Sequence, residues 1–241
     1  MIKNFAHRGF KGQYPENTLL AFEKAIEIGC DGTEFDVQLT KDGQVVIIHD
    51  ETLDRTTDGK GAVKDFTYEE ISKLNASNQT KETHGFNKIP LLSEYFEMVK
   101  HTNIISNIEL KNSVVDYKEM EQKVYDLIMA YGLKDKVLVS SFNHLSILRM
   151  KAIDPTIKCG LLTDNWLINP GEYVKSAGIE CFHPADYSLT KEKVDEIKGH
   201  GIEVNVWMGS EYTDLQGLVD MGVDTIITDN PDQLQDILNK K

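Results

Sequence analysis

The chain has 241 residues, of which 40% are apolar and 27% are charged, and its formal net charge is −13. This length and this balance are typical of a soluble globular protein with one substantial hydrophobic core. The acidic surplus argues against a general electrostatic affinity for nucleic acid or for an anionic membrane. An anionic ligand would therefore need cationic side chains gathered at its own site.

From the sequence we expect neither a targeting segment nor a disulfide framework. The N-terminal residues MIKNFAHRG lack the long apolar core of a signal peptide, and no apolar run approaches the length that spans a membrane. Cys30, Cys159 and Cys181 are widely spaced and form no CxxC motif. We therefore expect a cytoplasmic protein that does not insert into a membrane, with its cysteines serving as small core residues. No pattern predicts an oligomeric state.

Short β-rich runs alternate with segments of helical spacing along the chain. In chain order the predicted strands are KNFAH (3–7), GTEFDVQ (32–38) with VVIIH (45–49) behind it, NIISNIEL (103–110), KVLVSS (136–141), IKCGLL (157–162), GIECFH (178–183), GIEVNVW (201–207) and VDTIIT (223–228). The predicted helices are TLLAFEKAIEIG (18–29), LLSEYFEMVK (91–100), VVDYKEMEQKVYDLIMAYG (114–132), NHLSILRMKAI (143–153), GEYVKSAG (171–178), TKEKVDEIKGHG (190–201), DLQGLVDMG (214–222) and PDQLQDILNKK (231–241). Several of these helices end in a glycine suited to a C-cap, namely Gly29, Gly132, Gly178, Gly201 and Gly222.

Eight strand–helix units in one chain predict a parallel sheet, and eight is the number that closes such a sheet into a TIM (β/α)8 barrel. A doubly wound open sheet is the alternative, but neither a GxGxxG motif nor a P-loop follows the first strand. Residues 51–90 break the alternation, because they are polar and have only one short helical pattern, TYEEISKL (67–74). We expect residues 1–241 to form one barrel domain, with 51–90 as a small insertion between the second strand and its helix.

Ionisable residues are concentrated at the C-terminal ends of the first three predicted strands, where TIM barrels carry their catalytic groups. In strand two, Glu34 and Asp36 are two residues apart, so both side chains point to one face while Phe35 and Val37 point to the other. The remaining ionisable residues at these strand ends are His7, Arg8, His49, Glu109 and Lys111.

Three carboxylates in one small space, from Glu34, Asp36 and Glu109, are unfavourable unless a cation neutralises them. Oxygen ligands without cysteine select Mg²⁺ or Ca²⁺ rather than zinc. One such ion, together with Arg8 and Lys111, leaves the group with a single positive charge, which complements a phosphodiester. Arg8 offers a planar fork for phosphate oxygens and Lys111 a point charge. The two histidines supply a base and an acid, so the set predicts a phosphodiesterase.

The motifs HRGFKGQYPENT (7–18) and GTEFDVQLTKDGQVVIIHDETLDRTTDGKG (32–61) carry a resemblance to a known family. The chain resembles the glycerophosphodiester phosphodiesterases, whose hallmark is His-Arg-Gly near the N-terminus followed by Glu-Asn-Thr. The later segments IPLLSEYFE (89–97), NIELK (107–111) and TDNPDQL (228–234) also look like this family's. The resemblance therefore extends over essentially the whole chain.

The resemblance implies a TIM barrel that uses a divalent metal to hydrolyse glycerophosphodiesters, the deacylated head groups of phospholipids, to glycerol 3-phosphate and an alcohol. It implies metal ligation by Glu34, Asp36 and Glu109, acid–base roles for His7 and His49, and phosphate contacts from Arg8 and Lys111. We expect Glu16 to orient Arg8 and Trp207 to form a wall for the glycerol carbons. The family's usual Trp-Thr-Val-Asn reads Trp-Met-Gly-Ser at 207–210, which puts polar contacts to the glycerol or alcohol in doubt.

Three residues near the predicted site carry structural expectations. We expect Asn17 to be the N-cap of the first helix. Phe10 is expected to be an exposed loop aromatic, and His183 is either a packed residue or a substrate contact.

Two other functions fit parts of this pattern. A catalytically silent barrel would bind a metal or a polyol phosphate without turnover. A phospholipase-type lyase would need an apolar rim or a basic patch facing the membrane, and the sequence shows neither. The preferred alcohol, the choice of Mg²⁺ or Ca²⁺, the assignment of acid and base, and the nucleophile (water or the substrate's 2-hydroxyl) stay open at this point.

Overall fold

The computed structural model describes residues 1–78, 80–210 and 213–240. Its strands are β1 (Lys3–His7), β2 (Gly32–Leu39), β3 (Val45–Ile47), β4 (Ile105–Leu110), β5 (Val137–Ser141), β6 (Cys159–Thr163), β7 (Cys181–Pro184), β8 (Glu203–Trp207) and β9 (Thr225–Thr228). Its α-helices are α1 (Leu19–Glu27), α2 (Tyr68–Ile71), α3 (Lys81–His84), α4 (Leu92–Val99), α5 (Met120–Ala130), α6 (His144–Ile153), α7 (Pro170–Ser176), α8 (Lys191–Gly199), α9 (Leu215–Met221) and α10 (Pro231–Leu238). None of these helices has the length and apolar character needed to cross a bilayer. Lys241, at the end of the last predicted helix, lies outside the described residues.

Eight parallel strands close into a barrel, which confirms the predicted TIM (β/α)8 fold. Around the barrel the order is β1, β2, β4, β5, β6, β7, β8, β9, and β9 pairs with β1 to complete the ring. The remaining strand, β3, lies outside the barrel and pairs antiparallel with the end of β2, so that Val37 is opposite Ile47. His49 therefore follows a short outer strand that is anchored to β2.

Most helices have the predicted extent. The five predicted C-cap glycines all have positive φ, between 66° and 81°, a conformation that a residue without a Cβ adopts at little cost. One helix differs: α5 was expected from Val114 but begins at Met120. The residue before it, Glu119, has a φ of 63°, which does not continue a right-handed helix.

The main hydrophobic core lies between the barrel and its surrounding helices. Phe35 and Val37 of β2 belong to this layer, and the ring of Phe35 contacts that of Tyr95 on α4 with centroids 4.4 Å apart. Glu34 and Asp36 alternate with these residues and point to the other face, as the period of two predicts. The packing of the apolar face thus fixes the direction of the two carboxylates.

The segment predicted as an insertion, residues 51–90, follows β3 and contains α2 and α3. Together with Val46 and Ile48, it forms a small buried cluster, separate from the main core, whose other members are Leu53, Val63, Ile71, Ala76 and Ile89. The segment contacts the loop after β1, where Arg55 binds Glu16 at 2.7 Å and the ring of His84 lies 5.3 Å from that of Tyr14. Residues 51–90 therefore border the C-terminal end of the barrel strands, beside β1.

Candidate active site

The strand register brings the charged strand ends together. His7 is opposite Glu34 in the β1–β2 pair, and Asp36 is opposite Glu109 in the β2–β4 pair. Glu34, Asp36 and Glu109 each offer a carboxylate oxygen, and these three atoms lie within 4.8 Å of one another. All three residues are buried. The residues that the sequence predicts as metal ligands are thus neighbours in the structure.

The three carboxylates differ in how readily they ionise. Burial, followed by repulsion from Asp36 and Glu109, raises the pKa of Glu34 well above its ordinary value. Burial also raises the pKa of Glu109 to about 7, although Lys111 opposes the shift. Burial acts on Asp36 in the same direction, but nearby cations, Arg8 above all, lower its pKa to about 2. Close carboxylates that resist joint ionisation fit a divalent cation, because the ion offsets their repulsion and Mg²⁺ and Ca²⁺ prefer oxygen ligands.

Two cationic side chains adjoin this carboxylate cluster. The backbone N–H of Arg8 donates to Oε2 of Glu34 at 3.2 Å, and its Nε lies 3.4 Å from Oδ2 of Asp36. Arg8 has a φ of 54°, a left-handed conformation that non-glycine residues seldom adopt outside functional or turn positions. Nζ of Lys111 lies 3.2 Å from Oε1 of Glu109. Burial opposes the charge on both cations, but the carboxylates outweigh it and raise both pKa values.

Each of the two predicted catalytic histidines is bound to an aspartate. Nδ1 of His7 lies 2.5 Å from Oδ1 of Asp229, and Nδ1 of His49 lies 2.6 Å from Oδ1 of Asp50. Burial opposes ionisation of both aspartates, but hydrogen bonds, including one from Arg55 to Asp50, hold their pKa values below the ordinary range. Because an ionised carboxylate can only accept, Nδ1 of each histidine is the donor. Nε2 is then the unprotonated nitrogen of each ring, the atom that can accept a proton.

Both histidines are weak bases in the free protein. Burial is the largest effect that lowers the pKa of His7 and of His49, and the charge of Arg8 lowers both further. Nζ of Lys111 lies 3.3 Å from Nε2 of His49, where it donates to the neutral ring. A neutral imidazole with its proton on Nδ1 can take up a proton at Nε2 and release it again.

Arg55 links the two carboxylates that bind Arg8 and His49, which are Glu16 and Asp50. It donates to both oxygens of Glu16, at 2.7 and 2.8 Å, and to both oxygens of Asp50, at 2.7 and 3.0 Å. Glu16 also accepts from Nη1 of Arg8 at 2.9 Å. Burial opposes ionisation of Glu16, but these bonds, led by that from Arg55, lower its pKa to about 2. The result is one continuous chain of charge-assisted hydrogen bonds.

The sequence analysis missed three of these residues, Asp50, Asp229 and Arg55. Each lies within a motif that the resemblance uses, respectively HD at 49–50, TDNP at 228–231 and RTT at 55–57. The motifs were therefore a signal that the residues have roles. Their partners were not visible, since Asp229 is 222 residues from His7 along the chain.

Two expectations near β1 are wrong. The N-cap of α1 is Thr18, whose Oγ1 accepts from the backbone N–H of Ala21 at 3.2 Å. Asn17, one residue earlier, has a φ of 58° and donates from Nδ2 to Oδ2 of Asp36 at 2.9 Å. Phe10 is only 3% exposed, because the loop turns back onto α1 and the N–H of Phe10 donates to the carbonyl of Ala21.

A cavity of about 110 Å³, which we call the central pocket, opens among these groups. Its ionisable lining residues are His7, Arg8, Glu34, His49 and Glu109. Phe142, Leu162 and Trp207 add apolar surface to its lining. The edge of the Trp207 ring meets the ring of Phe142, with centroids 5.8 Å apart. Met208 and Gly209, which replace the family's polar residues, are not among its lining residues.

His183 is a packed residue rather than part of the central pocket. It is fully buried in β7, where Nδ2 of Asn205 donates to its Nε2 at 3.0 Å, and burial lowers its pKa to about 3. Its carbonyl accepts from Nε1 of Trp207 at 3.2 Å, which orients the indole. Cys30, Cys159 and Cys181 are buried free thiols, as predicted.

By fold and site the protein is a TIM-barrel enzyme whose pocket suits an anionic ester. The model of the glycerophosphoryl diester phosphodiesterase family matches residues 7–233. A glycerophosphodiester phosphodiesterase of Caldanaerobacter subterraneus is 41% identical over 98% of this chain and 97% of its own length, and one of Bacillus altitudinis is 43% identical over 97% and 96%. The solved structure of an Oleispira antarctica phosphodiesterase with its product sn-glycerol-3-phosphate has a TM-score of 0.90 at 28% identity, with 98% of this chain and 96% of that one covered. The chain belongs to the glycerophosphoryl diester phosphodiesterase family.

Proposed function

We propose that the protein hydrolyses glycerophosphodiesters to glycerol 3-phosphate and an alcohol, with one divalent cation bound by Glu34, Asp36 and Glu109. The observation that carries the proposal is the central pocket, where two histidines with aspartate partners share the lining with a guanidinium and with carboxylates of the cation site. An acid–base pair, fixed positive charge and an oxygen-rich cation site are the parts that displacement at phosphorus needs.

The cation site is supported by charge as well as by distance. Repulsion from Asp36 and Glu109 adds to the burial that raises the pKa of Glu34, so the cluster is incompletely neutralised by protein groups alone. A divalent ion together with Arg8 and Lys111 leaves one positive charge, which complements the single negative charge of a phosphodiester. When bound, Mg²⁺ or Ca²⁺ would act as a Lewis acid on a phosphoryl oxygen.

The protein's own groups perform the binding and the proton transfers. Arg8 and Lys111 take up charge on the non-bridging phosphate oxygens, and Glu16 holds the guanidinium of Arg8 in place. One of the two histidines removes the proton of the attacking oxygen at Nε2, and the other gives a proton to the leaving oxygen. The negative charge of the bound diester favours the protonated ring, and the aspartate at Nδ1 stabilises each imidazolium.

Two nucleophiles are compatible with these roles. Water would attack phosphorus directly and give glycerol 3-phosphate in one step. Alternatively, the substrate's own 2-hydroxyl would attack, and the resulting cyclic phosphate would be opened by water in a second step. A cyclic product that appears before glycerol 3-phosphate in a rapid-quench time course would establish the second route.

The glycerol phosphate arm is placed in the central pocket against Trp207. The Oleispira relative is described as a complex with sn-glycerol-3-phosphate, and we carry this arm over to the corresponding pocket. The indole offers a flat apolar surface for the glycerol carbons, and its orientation is fixed by the bond to the carbonyl of His183.

The test is release of glycerol 3-phosphate from a panel of diesters, with and without a chelator, for the wild type, His7→Ala, His49→Ala and His101→Ala. The first two variants are expected to lose about 10²–10⁴-fold in kcat. His101→Ala is the control, because His101 is exposed, and it should retain wild-type rates. Chelation should abolish activity, and added Mg²⁺ or Ca²⁺ should restore it.

Three results would contradict the proposal. Binding of glycerol 3-phosphate without turnover of any diester would indicate a silent barrel. Unchanged rates in chelator would remove the cation from the mechanism. An active His49→Ala variant, or a pH–rate profile that lacks one limb of a bell, would contradict the paired acid–base roles.

A further inference from the structure

A second and larger cavity, which we call the adjoining pocket, lies next to the central pocket. Its volume is about 530 Å³, against about 110 Å³ for the central pocket. The two cavities share Phe142, which follows β5, and Leu162, which lies in β6. The rest of the adjoining pocket comes mainly from the loop after β6 and from α6 and α7. The ends of β5 and β6 therefore separate a small, strongly charged cavity from a large cavity that is mainly apolar and has one carboxylate, that of Asp164.

The polar side chains of the adjoining pocket are largely hydrogen-bonded to one another or to the backbone of the same pocket. The two ring nitrogens of His144 lie 2.7 Å from the hydroxyl of Tyr173 and 2.8 Å from the carbonyl of Leu162. The backbone N–H of Asn165 donates to Oγ1 of Thr163 at 3.1 Å, and its side-chain amide donates to the carboxylate of Asp164 at 2.7 Å. These hydrogen bonds leave carbon surfaces as the main feature that the cavity presents.

The apolar surfaces face a concave space rather than standing alone on the protein surface. The residues that supply them are Phe142, Leu162, Leu167, Ile168 and Tyr173. Ile168 is 90% exposed and Tyr173 is 43% exposed. Single exposed apolar residues are ordinary, but several around one cavity are typical of a binding site. The sequence did not reveal this apolar rim, which the structure places beside the active site.

The charges around the adjoining pocket do not favour a cationic ligand strongly. No lysine or arginine is among its described lining residues, and Asp164 is the one carboxylate. Asp164 is exposed and already accepts from Asn165. An exposed, solvated carboxylate attracts an ammonium group only weakly at physiological salt. The hydrocarbon surface is therefore the stronger basis for selection.

We propose that the adjoining pocket binds the alcohol part of the diester and selects uncharged alcohols with a hydrocarbon portion. This inference rests on the proposed function, which places phosphorus in the central pocket beside Arg8, His7 and His49. One ester arm, the glycerol, fills that small cavity. The other arm must leave it, and the cavity that continues past Phe142 and Leu162 is the adjoining pocket.

The size of the expected preference follows from the burial of hydrocarbon. Complete burial of one methylene group strengthens binding about four-fold. In this open cavity we expect about half of that free energy, which corresponds to about two-fold for each methylene. Because the apolar contact exists in both the ground and the transition state, it should act mainly on KM. The hexyl ester has five more methylene groups than the methyl ester, so its kcat/KM should be about 30-fold higher.

The experiment compares kcat/KM for sn-glycerol-3-phosphate esters of methanol, butanol, hexanol, choline and glycerol. Alkyl chains of this length stay monomeric, so a preference reports the pocket rather than a lipid surface. Two variants alter the pocket: Ile168→Ser removes apolar surface from an exposed position, and Ser113→Trp fills space from another exposed position. Both should lower the ratio of the hexyl to the methyl ester by about five-fold or more.

Matched controls lie outside the pocket lining. Leu148→Ser removes an exposed side chain of similar size, and Val114→Trp adds a ring next to Ser113. Both controls should keep the wild-type hexyl-to-methyl ratio. Circular dichroism and the melting temperature identify any variant that is misfolded. If one of the two pocket variants misfolds, the other still tests the proposal.

The outcomes separate this inference from the proposed function. A rate that does not rise with chain length, or a choline ester faster than the hexyl ester, would overturn the apolar alcohol site while glycerol 3-phosphate is still released. A chain-length preference that persists unchanged in both Ile168→Ser and Ser113→Trp would also overturn it. Failure to release glycerol 3-phosphate from any ester would overturn the proposed function and this inference together.

Discussion

Strands β1, β2 and β4 end in a dense group of charges, whereas β5 to β8 end in Ser141, Thr163, Pro184 and Trp207. In the charged half, nearly every ionisable side chain has a partner of opposite sign within 3.5 Å, as Arg8, Glu16, Asp50 and Arg55 illustrate. In the neutral half, β7 and β8 carry an uncharged buried pair, His183 with Asn205. The two sides of the barrel's C-terminal end therefore differ, one being charged and the other uncharged.

This difference shows how the barrel accommodates chemistry without losing stability. Buried charge is costly, so it is tolerated only where several charges offset one another, and the register of β1, β2 and β4 provides that place. The exception is the cluster of Glu34, Asp36 and Glu109, which is left with repulsion that a cation would relieve. The neutral half carries no such cost and is free to shape a pocket for carbon.

The largest expected effect concerns the carboxylates themselves. We expect Glu34→Gln and Asp36→Asn each to reduce activity by at least about 100-fold. In chelator, however, their stabilities should change in opposite directions. Glu34→Gln removes a carboxyl group whose ionisation is opposed by burial and by repulsion, and it should raise the melting temperature. Asp36→Asn removes the ionised partner of Arg8 and Asn17 and should lower it. Differential scanning calorimetry measures both, with the exposed Glu172→Gln as control.

Equal signs for the two variants would contradict the distinction between the carboxylates. If both raised the melting temperature, the ion pair of Asp36 would not offset its burial. If both lowered it, repulsion at Glu34 would be too small to require a cation.

The second prediction concerns Arg55, which links Glu16 to Asp50. Arg55→Gln should lower kcat by about 10–100-fold, because Glu16 and Asp50 lose the group that fixes them, as outer-shell partners do at other sites. Arg55→Lys should not restore the rate, since one ammonium group cannot replace the fork. Arg149→Gln is the matched control: Arg149 also binds two carboxylates, Asp116 and Glu121, away from the site.

Steady-state kinetics and urea unfolding of both variants provide the comparison. Arg149→Gln should lose stability but keep kcat per folded molecule. Parallel losses of kcat in both variants would mean that Arg55 acts only through general stability and does not position His49 or Arg8.

The third prediction gives the pH dependence of the charged half. The pKa of Glu16 is about 2 in the fold, against an ordinary value of 4.5. A lowered pKa contributes stability that is present above about pH 4.5 and is lost as the pH falls towards 2. We expect Glu16→Gln to cost about 2–3 kcal/mol at pH 7 and progressively less below pH 4.5. Urea unfolding at pH 7, 5, 4 and 3 tests this, and a difference that does not change with pH would refute it.

The smallest effect tests the neutral half. A Cβ at Gly160 of β6 would lie 2.4 Å from Nε2 of the buried His183, so Gly160→Ala should cost about 1–3 kcal/mol through overpacking. Gly199→Ala meets nothing within 4 Å, and as a helical position it should be neutral or stabilising by up to about 1 kcal/mol. Activity per folded molecule should be unchanged in both, and a loss of activity in Gly160→Ala alone would mean that His183 takes part in function.

Much of the fold was predictable from local pattern. Alternating strand and helix periodicities, with glycine at the helix ends, are properties of short segments, and they were enough to indicate eight units and hence a closed barrel. The alternation in TEFDV likewise placed Glu34 and Asp36 on one face, because the side-chain period of a strand is fixed by its backbone. Where two neighbouring residues compete for one role, as Asn17 and Thr18 do for the N-cap, the local pattern did not choose correctly.

The sequence by itself determined which residues stand at the ends of the strands and what chemistry they offer, including the three carboxylates and the two histidines. Only the tertiary structure decided which of them meet. Closure of the barrel brings β9 beside β1, so that Asp229 reaches His7, and the insertion brings Arg55 to Glu16. The tertiary structure also forms the adjoining pocket, from the segments that follow β4, β5 and β6. The physical reason is that such contacts depend on strand register and on the direction of packed side chains, which no local stretch of sequence contains.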